Sequence, residues 1–521
     1  MEKSSRCISI SLILLLYLVP SCLSRKPNII VMLMDDMGWG DLGSYGHPAR
    51  ETPNLDRMAA EGMLFTDFYS AAGICSPSRA SVMTGRLPIR NGFYSTNQFA
   101  KNSYLPQDVM GGISDSEVLF PELLKQNGYR NKIVGKWHLG HREQFLPLQH
   151  GFDEWFGAPD CHYKYDDKVM PNIPVYKDSL MQGRYYDHFK IDIKTGLSNL
   201  TQLYIQEALD FLEKERDRPF FLYWAPDATH TPLYASEKFR GKSERGLYGD
   251  AVMELDSGVG KILNKLKELG IENNTFAFFS SDNGAATYAF TEVSIIISGG
   301  SNGPFLCGKQ TTFEGGMREP ALAWWPTKIR PGSISKQVGN LMDIFSTVLK
   351  ITSIPHPKGL YLDGVDLSSV LFNSKEFDRP VFYYRNDALF KVRYGQYKAH
   401  FYTWDTPEDA QRLGYHYCPG QFVPKVTTAL LTNYTDQPLL FHLGKDPGEK
   451  FIIDASSVEY SIAMKQISSV VKEHLRTLVR GEPQFDWCDL AVQNWSPSGC
   501  EKINSCFTAP LSYPYRCHWP Y

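Results

Sequence analysis

Five segments of the chain are short, continuously apolar and bounded by turn residues: Asn28–Met34, Asn131–Val134, Phe220–Trp224, Thr275–Ser280 and Ala321–Trp325. Strands buried on both faces read this way, because neither side of the pleat meets water. Between them the period becomes that of a helix. Thr52 is expected to cap one helix, with Pro53 at its first position, and Gly62 stops it. Tyr204/Ile205, Ala208/Leu209 and Leu212 form the apolar face of a second. Val252, Leu255, Val259, Ile262, Leu266 and Leu269 form that of a third, closed by Gly270. Alternating strands and helices predict an α/β fold, a large doubly wound, mostly parallel sheet flanked by helices.

The pattern changes near residue 376. Pro380–Tyr384, Phe390–Tyr394 and Tyr397–Trp404 read as consecutive antiparallel strands joined by short turns. Leu439–Leu443 adds another strand, and a helix is expected over Val458–Val479. Residues 481–521 show no period and hold four cysteines. The expected domains are therefore 25–376, 377–480 (a smaller antiparallel sheet with one helix) and a disulfide-stapled tail, 481–521.

Residues 1–24 read as a cleaved secretory signal peptide. Lys3 and Arg6 precede the apolar run Ile8–Val19, and Cys22 and Ser24 are small residues at a cleavage site after Ser24. The run is shorter than the roughly 20 residues of a spanning helix, so no stable membrane anchor is expected. The secretory route is oxidising, so most of the eight later cysteines should pair. It also gives meaning to the glycan acceptor sites at Asn199, Asn273 and Asn433; a fourth at Asn494 is followed by Pro497 and is a poor acceptor.

Composition narrows the function. Of 521 residues, 43% are hydrophobic and 21% charged, which excludes a largely disordered chain. The net charge of −3 lacks the basic excess of a nucleic-acid binder. An acidic ligand would need a local basic pocket.

Such a pocket is foreseen at one sheet edge, since doubly wound sheets bind ligands at the carboxyl ends of their strands. Those ends carry Asp35-Asp36, Lys136-Trp137-His138, Asp227 with His230, and Asp282-Asn283. Singly, each acid is most simply a turn or helix cap. Together, Asp35, Asp36, Asp282 and Asn283 form an oxygen-only set of the kind that hard cations prefer. A second constellation runs Cys75-Ser76-Pro77-Ser78-Arg79, then Thr84-Gly85. Pro77 suits the first turn of a helix, which sets Cys75 at or just before its N-terminus, where backbone N–H groups attract anions. Arg79, Lys136 and Lys309 would supply the positive charge.

The cysteine motif resembles the hallmark of the type I sulfatases. Gly128-Tyr129 with Ile133-Val134-Gly135-Lys136-Trp137-His138 is similar to their second signature, apart from Asn131 where Ser or Thr is usual. The resemblance implies an alkaline phosphatase-like fold and oxidation of Cys75 to formylglycine by the formylglycine-generating enzyme. The hydrated aldehyde attacks sulfur with one hydroxyl and releases sulfate when the other is deprotonated. It implies one Ca²⁺, held by Asp35, Asp36, Asp282, Asn283 and residue 75. Arg79 would hold the diol, His138 orient or deprotonate it, and His230 protonate the leaving alcohol. Lys136 and Lys309 would bind the sulfate, with Tyr104 lining the pocket.

Stretches such as Ala228–Pro232, Ser301–Lys309, Glu314–Pro320 and Phe441–Gly444 are similar to the branch of that family acting on sulfated glycosaminoglycan ends. That branch removes 6-sulfates from N-acetylgalactosamine in chondroitin 6-sulfate and from galactose in keratan sulfate. It implies a lysosomal homodimer with disulfides Cys307–Cys418, Cys488–Cys517 and Cys500–Cys506, and Cys161 free. Other readings are a sulfatase of different sugar specificity, a phosphoesterase of the same fold, or a non-catalytic binder of sulfated glycans. The cysteine motif and the oxygen-only ligand set disfavour the phosphoesterase. Thr291–Ser298, apolar and β-branched beside the expected site, reads as a substrate-facing wall, a subunit contact or an error in the deduced sequence.

Overall fold

A computed structural model describes residues 25–97, 105–162, 169–287, 299–403, 418, 423–424, 426–428 and 431–517. The expected signal peptide, Tyr104 and Thr291–Ser298 lie outside the described residues.

The central sheet has eleven strands among the described residues. In chain order they are β1 (Asn28–Met34), β2 (Met63–Tyr69), β3 (Arg130–Gly135), β4 (Glu154–Gly157), β5 (Pro174–Lys177), β6 (Leu180–Arg184), β7 (Phe220–Ala225), β8 (Thr275–Ser281), β9 (Arg318–Trp324), β10 (Ser333–Ser335) and β11 (Gly339–Asn340). The order across the sheet is β10-β2-β9-β8-β1-β7-β3-β4-β5-β6, with β11 also on β2. The centre, β8-β1-β7-β3-β4, is parallel throughout. Antiparallel strands β9 and β5 flank it.

Strand β1 shows why the strands read as unbroken apolar runs. Ile29, Val31 and Leu33 enter one core with residues of the helices Cys75–Thr84, Phe120–Gln126 and Asp343–Ile351. Ile30, Met32 and Met34 enter another with the helices Pro53–Glu61, Leu200–Glu215 and Leu247–Glu268. Alternate residues face opposite sides of a pleat, so both sides must be apolar. This is the doubly wound sheet expected.

The local signals hold in outline, with differences that have physical causes. The first helix spans Pro53–Glu61 as expected, yet the Thr52 side chain does not cap it. Asp256, from the helix Leu247–Glu268, accepts from the Asn54 and Leu55 backbone N–H groups instead. A distant carboxylate thus satisfies the donors that every helix start leaves open. Asn131, the departure from the second signature, donates through Nδ2 to the carbonyls of Pro121 and Gly151, at 2.7 and 2.8 Å. A hydroxyl has one hydrogen to donate and could not hold both.

A second sheet follows: β12 (Pro380–Arg385), β13 (Ala388–Tyr394), β14 (Tyr397–His400) and β15 (Leu439–His442), antiparallel throughout. The helix Val458–Thr477 packs against it through Ala463 and Ile467. A buried charge network joins the two sheets. Lys398 on β14 meets Glu314 at 2.7 Å and Glu449 at 3.1 Å. His400 meets Glu449 at 2.6 Å, and the Tyr69 hydroxyl donates to Glu314 at 2.6 Å. Burial raises the Glu449 carboxyl, but Lys398 and His400 overcome it and hold the group far below the usual carboxylate range.

The tail is irregular apart from a two-stranded ribbon, β16 (Trp487–Cys488) and β17 (Tyr515–Arg516). Disulfides join Cys488 to Cys517, Cys500 to Cys506 and Cys307 to Cys418. Arg184, fully buried at the end of β6, donates to the carbonyls of Asn494, Trp495 and Ser505 at 2.9–3.0 Å, which moors the tail to the large sheet. Asn199, Asn273 and Asn433 are exposed. Asn494 is buried, with Nδ2 at 3.3 Å from Gln107 Oε1 and Asp160 Oδ2.

Candidate active site

The carboxyl ends of β1, β7, β3 and β8 converge on one buried cluster. Asp35 and Asp36 follow β1, and Asp282 and Asn283 follow β8. The helix Cys75–Thr84 begins at the cluster, with Ile74 as its N-cap and Arg79 on its second turn. One ligand atom each of Asp35, Asp36, Cys75 and Asp282 lies within 4.8 Å of all the others. Two residues here hold left-handed backbone, Asp36 at φ 61° and His138 at φ 64°. Non-glycine residues adopt that region at a cost, which tends to appear where a side chain must be aimed.

Each acid has a cation against it. Lys136 Nζ is 2.7 Å from Asp35 Oδ2, and Lys309 Nζ is 2.7 Å from Asp36 Oδ2. Arg79 donates through Nε to Asp282 Oδ2 at 2.8 Å and through a terminal nitrogen to the Lys136 carbonyl at 3.0 Å. Burial raises every carboxyl here, and the balance differs by site. Lys136, His230 and Arg79 overcome burial at Asp35 and hold it well below its ordinary range. At Asp36 burial prevails over Lys309, and at Asp282 it prevails over Arg79, pushing that carboxyl up to about 6.

Buried carboxylates packed together repel, and a divalent cation would relieve that cost. The donors fit one: three carboxylates, and Asn283 whose buried Oδ1 has no hydrogen-bond partner. The set is hard-oxygen in character, the kind suited to Ca²⁺ or Mg²⁺.

The two histidines also stand at the cluster. His138 Nε2 is 2.7 Å from the Leu105 carbonyl oxygen, and its Nδ1 is 3.4 Å from Cys161 Sγ. Burial, with Lys136 nearby, lowers its pKa to about 4. His230 donates from Nδ1 to the Thr231 carbonyl at 2.7 Å, which turns Nε2 toward Asp36, 4.0 Å away. Burial and Lys309 hold its pKa well below the ordinary value.

Sequence reasoning missed a supporting layer. Strand β4 is four residues long, too short to stand out, and the polar trio Asp160-Cys161-His162 follows soon after its end. His162 faces Asp227 Oδ2 with Nδ1 (3.1 Å) and the His230 and Pro232 carbonyls with Nε2 (3.2 and 3.0 Å). Asp227 also accepts from the Tyr185 and Tyr234 hydroxyls, both at 2.6 Å. His162 therefore fastens the 230–232 loop to the sheet. Beside it, Asp160 and His141 pair at 3.4 Å. Burial pushes Asp160 up to about 8 and His141 down to about 4, so the contact joins a neutral acid to a neutral imidazole.

An alkaline phosphatase-like sheet with a helix-start cysteine among acids, lysines and histidines defines the class, and comparison with known proteins agrees. The family profile described as Sulfatase matches residues 27–354, and that for the C-terminal region of aryl-sulfatase matches 376–508. The chain belongs to the sulfatase family, and its enzyme class is sulfuric ester hydrolase. Within the family it is 58% identical to the N-acetylgalactosamine-6-sulfatases of Canis lupus familiaris and Homo sapiens, over 95% of this chain and 95% and 94% of theirs. Human arylsulfatase A is 34% identical over 94% of this chain and 96% of its own. Among solved structures, the PsFucS1 sulfatase from Pseudoalteromonas sp. superposes with a TM-score of 0.72 at 28% identity, covering 87% of this chain and 90% of that one.

Proposed function

We propose that this protein hydrolyses 6-sulfate esters of N-acetylgalactosamine and galactose at the ends of chondroitin and keratan sulfate chains. It would work in the lysosome as a homodimer. The observation that carries the reading is Cys75 at a helix start, beside Asp35, Asp36, Arg79, Lys136 and His138, in a chain 58% identical to enzymes named for that substrate.

Oxidised to formylglycine by the formylglycine-generating enzyme, residue 75 supplies a hydrated aldehyde whose hydroxyl attacks sulfur as the sugar oxygen leaves. Asp35, Asp36, Asp282, Asn283 and residue 75 would hold a Ca²⁺, which would supply positive charge for the sulfate oxygens. The chain's own groups do the rest. Arg79, fixed on Asp282 and the Lys136 carbonyl, holds the nucleophile's position. The Lys136 and Lys309 ammonium groups lie against the same carboxylates and offset charge as it develops on the sulfate. His138 Nε2 donates to Leu105, which leaves Nδ1 as the atom able to take a proton from the diol. His230 Nε2 delivers a proton to the departing sugar oxygen. Burial keeps that imidazole neutral until the sulfate's negative charge enters and raises its proton affinity.

Mass spectrometry of the tryptic peptide containing residue 75, from protein made in a secretory cell, tests the nucleophile; finding only unmodified cysteine sinks this mechanism and favours a glycan binder. Sulfate release from 6-sulfated but not 4-sulfated N-acetylgalactosamine ends tests the specificity, and equal rates on both remove it.

A further inference from the structure

Cys161 is the second cysteine outside a disulfide among the described residues, and it stands at the site itself. The sulfurs of Cys75 and Cys161 and a ring nitrogen of His230 lie within 4.8 Å of one another. Both thiols are buried, with 2% and 1% of their surface exposed, so bulk water does not separate them. The hydrogen bonds fix the tautomer of the neighbouring ring. His138 Nε2 faces the Leu105 carbonyl oxygen at 2.7 Å, which can only accept, so Nε2 carries the hydrogen. Nδ1 is then the acceptor for the Cys161 S–H, 3.4 Å away. A thiol hydrogen-bonded to an imidazole base is the arrangement that makes sulfur a nucleophile. Neither the metal set nor the proton transfers proposed above use Cys161.

We infer that Cys161 reversibly caps residue 75 once that residue is an aldehyde, forming a thiohemiacetal; the inference rests on the formylglycine reading. A bond forms between Cys161 Sγ and the aldehyde carbon. The carbonyl π bond opens onto its oxygen, and the thiol proton passes through His138 Nδ1 to that oxygen. No oxidant or reductant takes part. In reverse the C–S bond breaks, the sulfur regains its proton, and the freed aldehyde adds water to give the diol.

Proximity makes the addition competitive with hydration. Two groups held side by side react as though at very high concentration. The cap also answers a hazard that the site creates for itself. Lys136 stands against Asp35 and Lys309 against Asp36, the two carboxylates beside residue 75, and an amine that sheds its proton condenses with an aldehyde. A sulfur adduct leaves no carbonyl for them to attack. It has one hydroxyl where the diol has two, so it is a resting form that water converts to the working one.

The test uses the full-length protein made in secretory cells fed cysteine carrying ¹³C at its β-carbon, as wild type, Cys161→Ala and Cys161→Ser. Peptide mass spectrometry first establishes the state of residue 75; unmodified cysteine there overturns both this inference and the reading beneath it. With the aldehyde in place, the wild type should show a ¹³C resonance for a carbon bonded to sulfur and oxygen, absent from both variants. Methoxyamine should label residue 75 faster in the variants. A capped fraction of about four-fifths slows labelling roughly fivefold, because only the uncapped fraction reacts. A wild type showing only the diol resonance, or equal labelling rates in folded Cys161→Ser and wild type, overturns the cap while leaving the proposed function standing.

Discussion

At the scale of single residues, charge and burial oppose each other at nearly every position of the site, and substitutions separate them. Asp282→Asn keeps the shape but removes the charge that pairs with Arg79 and faces Asp35 and Asp36. It is expected to lose bound calcium, as read by elemental analysis of the purified protein, and undiminished metal content refutes the ligand assignment. Asp160 gives a cleaner electrostatic outcome. Its carboxyl sits near 8 in the folded chain against an ordinary 3.8, because burial disfavours the charged form. The folded state therefore holds a proton that the unfolded state has released between those values. Stability falls as pH rises across that window, by up to about 1.4 kcal/mol per pH unit. Asp160→Asn removes the penalty, so its stability relative to wild type should grow from pH 5 to pH 8 in denaturant melts. A constant difference would show that Asp160 is ionised in the fold. Most first-contact residues of the site were legible because each stands directly after an apolar strand or at a helix start. Cys161 and His162 were not, because their strand is too short to show a period.

At the scale of elements, the site depends on how closely the strand-end loops approach one another. A β-carbon on Gly284 would fall 1.9 Å from the Gly315 carbonyl oxygen, which is backbone and cannot turn aside. Gly284→Ala should therefore push Asp282 and Asn283 off the cluster, lowering metal content together with sulfate release. Normal metal content in that variant would show that the 282–284 loop can shift without consequence. The loop bearing His230 is held differently, through His162 and Asp227. His162→Gln loses one of its two anchors and should lower kcat by about tenfold or more, equivalent to ~1.4 kcal/mol of barrier, with KM nearly unchanged. The limb of the pH profile that reports the leaving-group acid should move with it, a shift that general loosening would not produce. Four strands of the parallel centre, β1, β3, β7 and β8, were readable from their unbroken apolar runs. Strands β4 to β6, β10 and β11 were not, since two to five residues give periodicity too little length to act on, and β2 was not, because Thr66 and Asp67 interrupt its apolar run where its register against β9 shifts. The capping of the first helix was likewise invisible, because the cap comes from Asp256, about 200 positions away, and no local pattern encodes it.

At the scale of the whole molecule, the antiparallel sheet is bound to the large one by buried ions. Glu314 lies just before β9, while Lys398 and Glu449 belong to the later part of the chain, and all three are fully buried. Lys398→Met removes the cation that bridges Glu314 and Glu449, leaving Glu314 with Arg318 at 3.4 Å and Glu449 with His400 at 2.6 Å, a change that costs about 3–5 kcal/mol. Calorimetry should show one cooperative transition in the wild type and a markedly lower melting temperature in the variant. An unchanged melting temperature would mean that the network adds nothing to the joint. The tail is tied as firmly at the other side. Ser95 donates to Asp486 at 2.7 Å, Met110 donates to the Trp487 carbonyl at 2.9 Å, and Arg184 donates to three tail carbonyls. This mooring has a consequence in time. The segments that follow the helix beginning at Cys75 cannot reach their final partners until residues near 486 have been made, roughly 400 positions later. At about 5–20 residues per second, ribosomes leave Cys75 in an unfinished fold for roughly 20–80 s. In the finished molecule that side chain is 2% exposed. An enzyme that oxidised the cysteine, as the proposed function requires, would work against that clock, and shortening the interval, by a faster-translated message or a tail supplied early, should lower the fraction of chains made active.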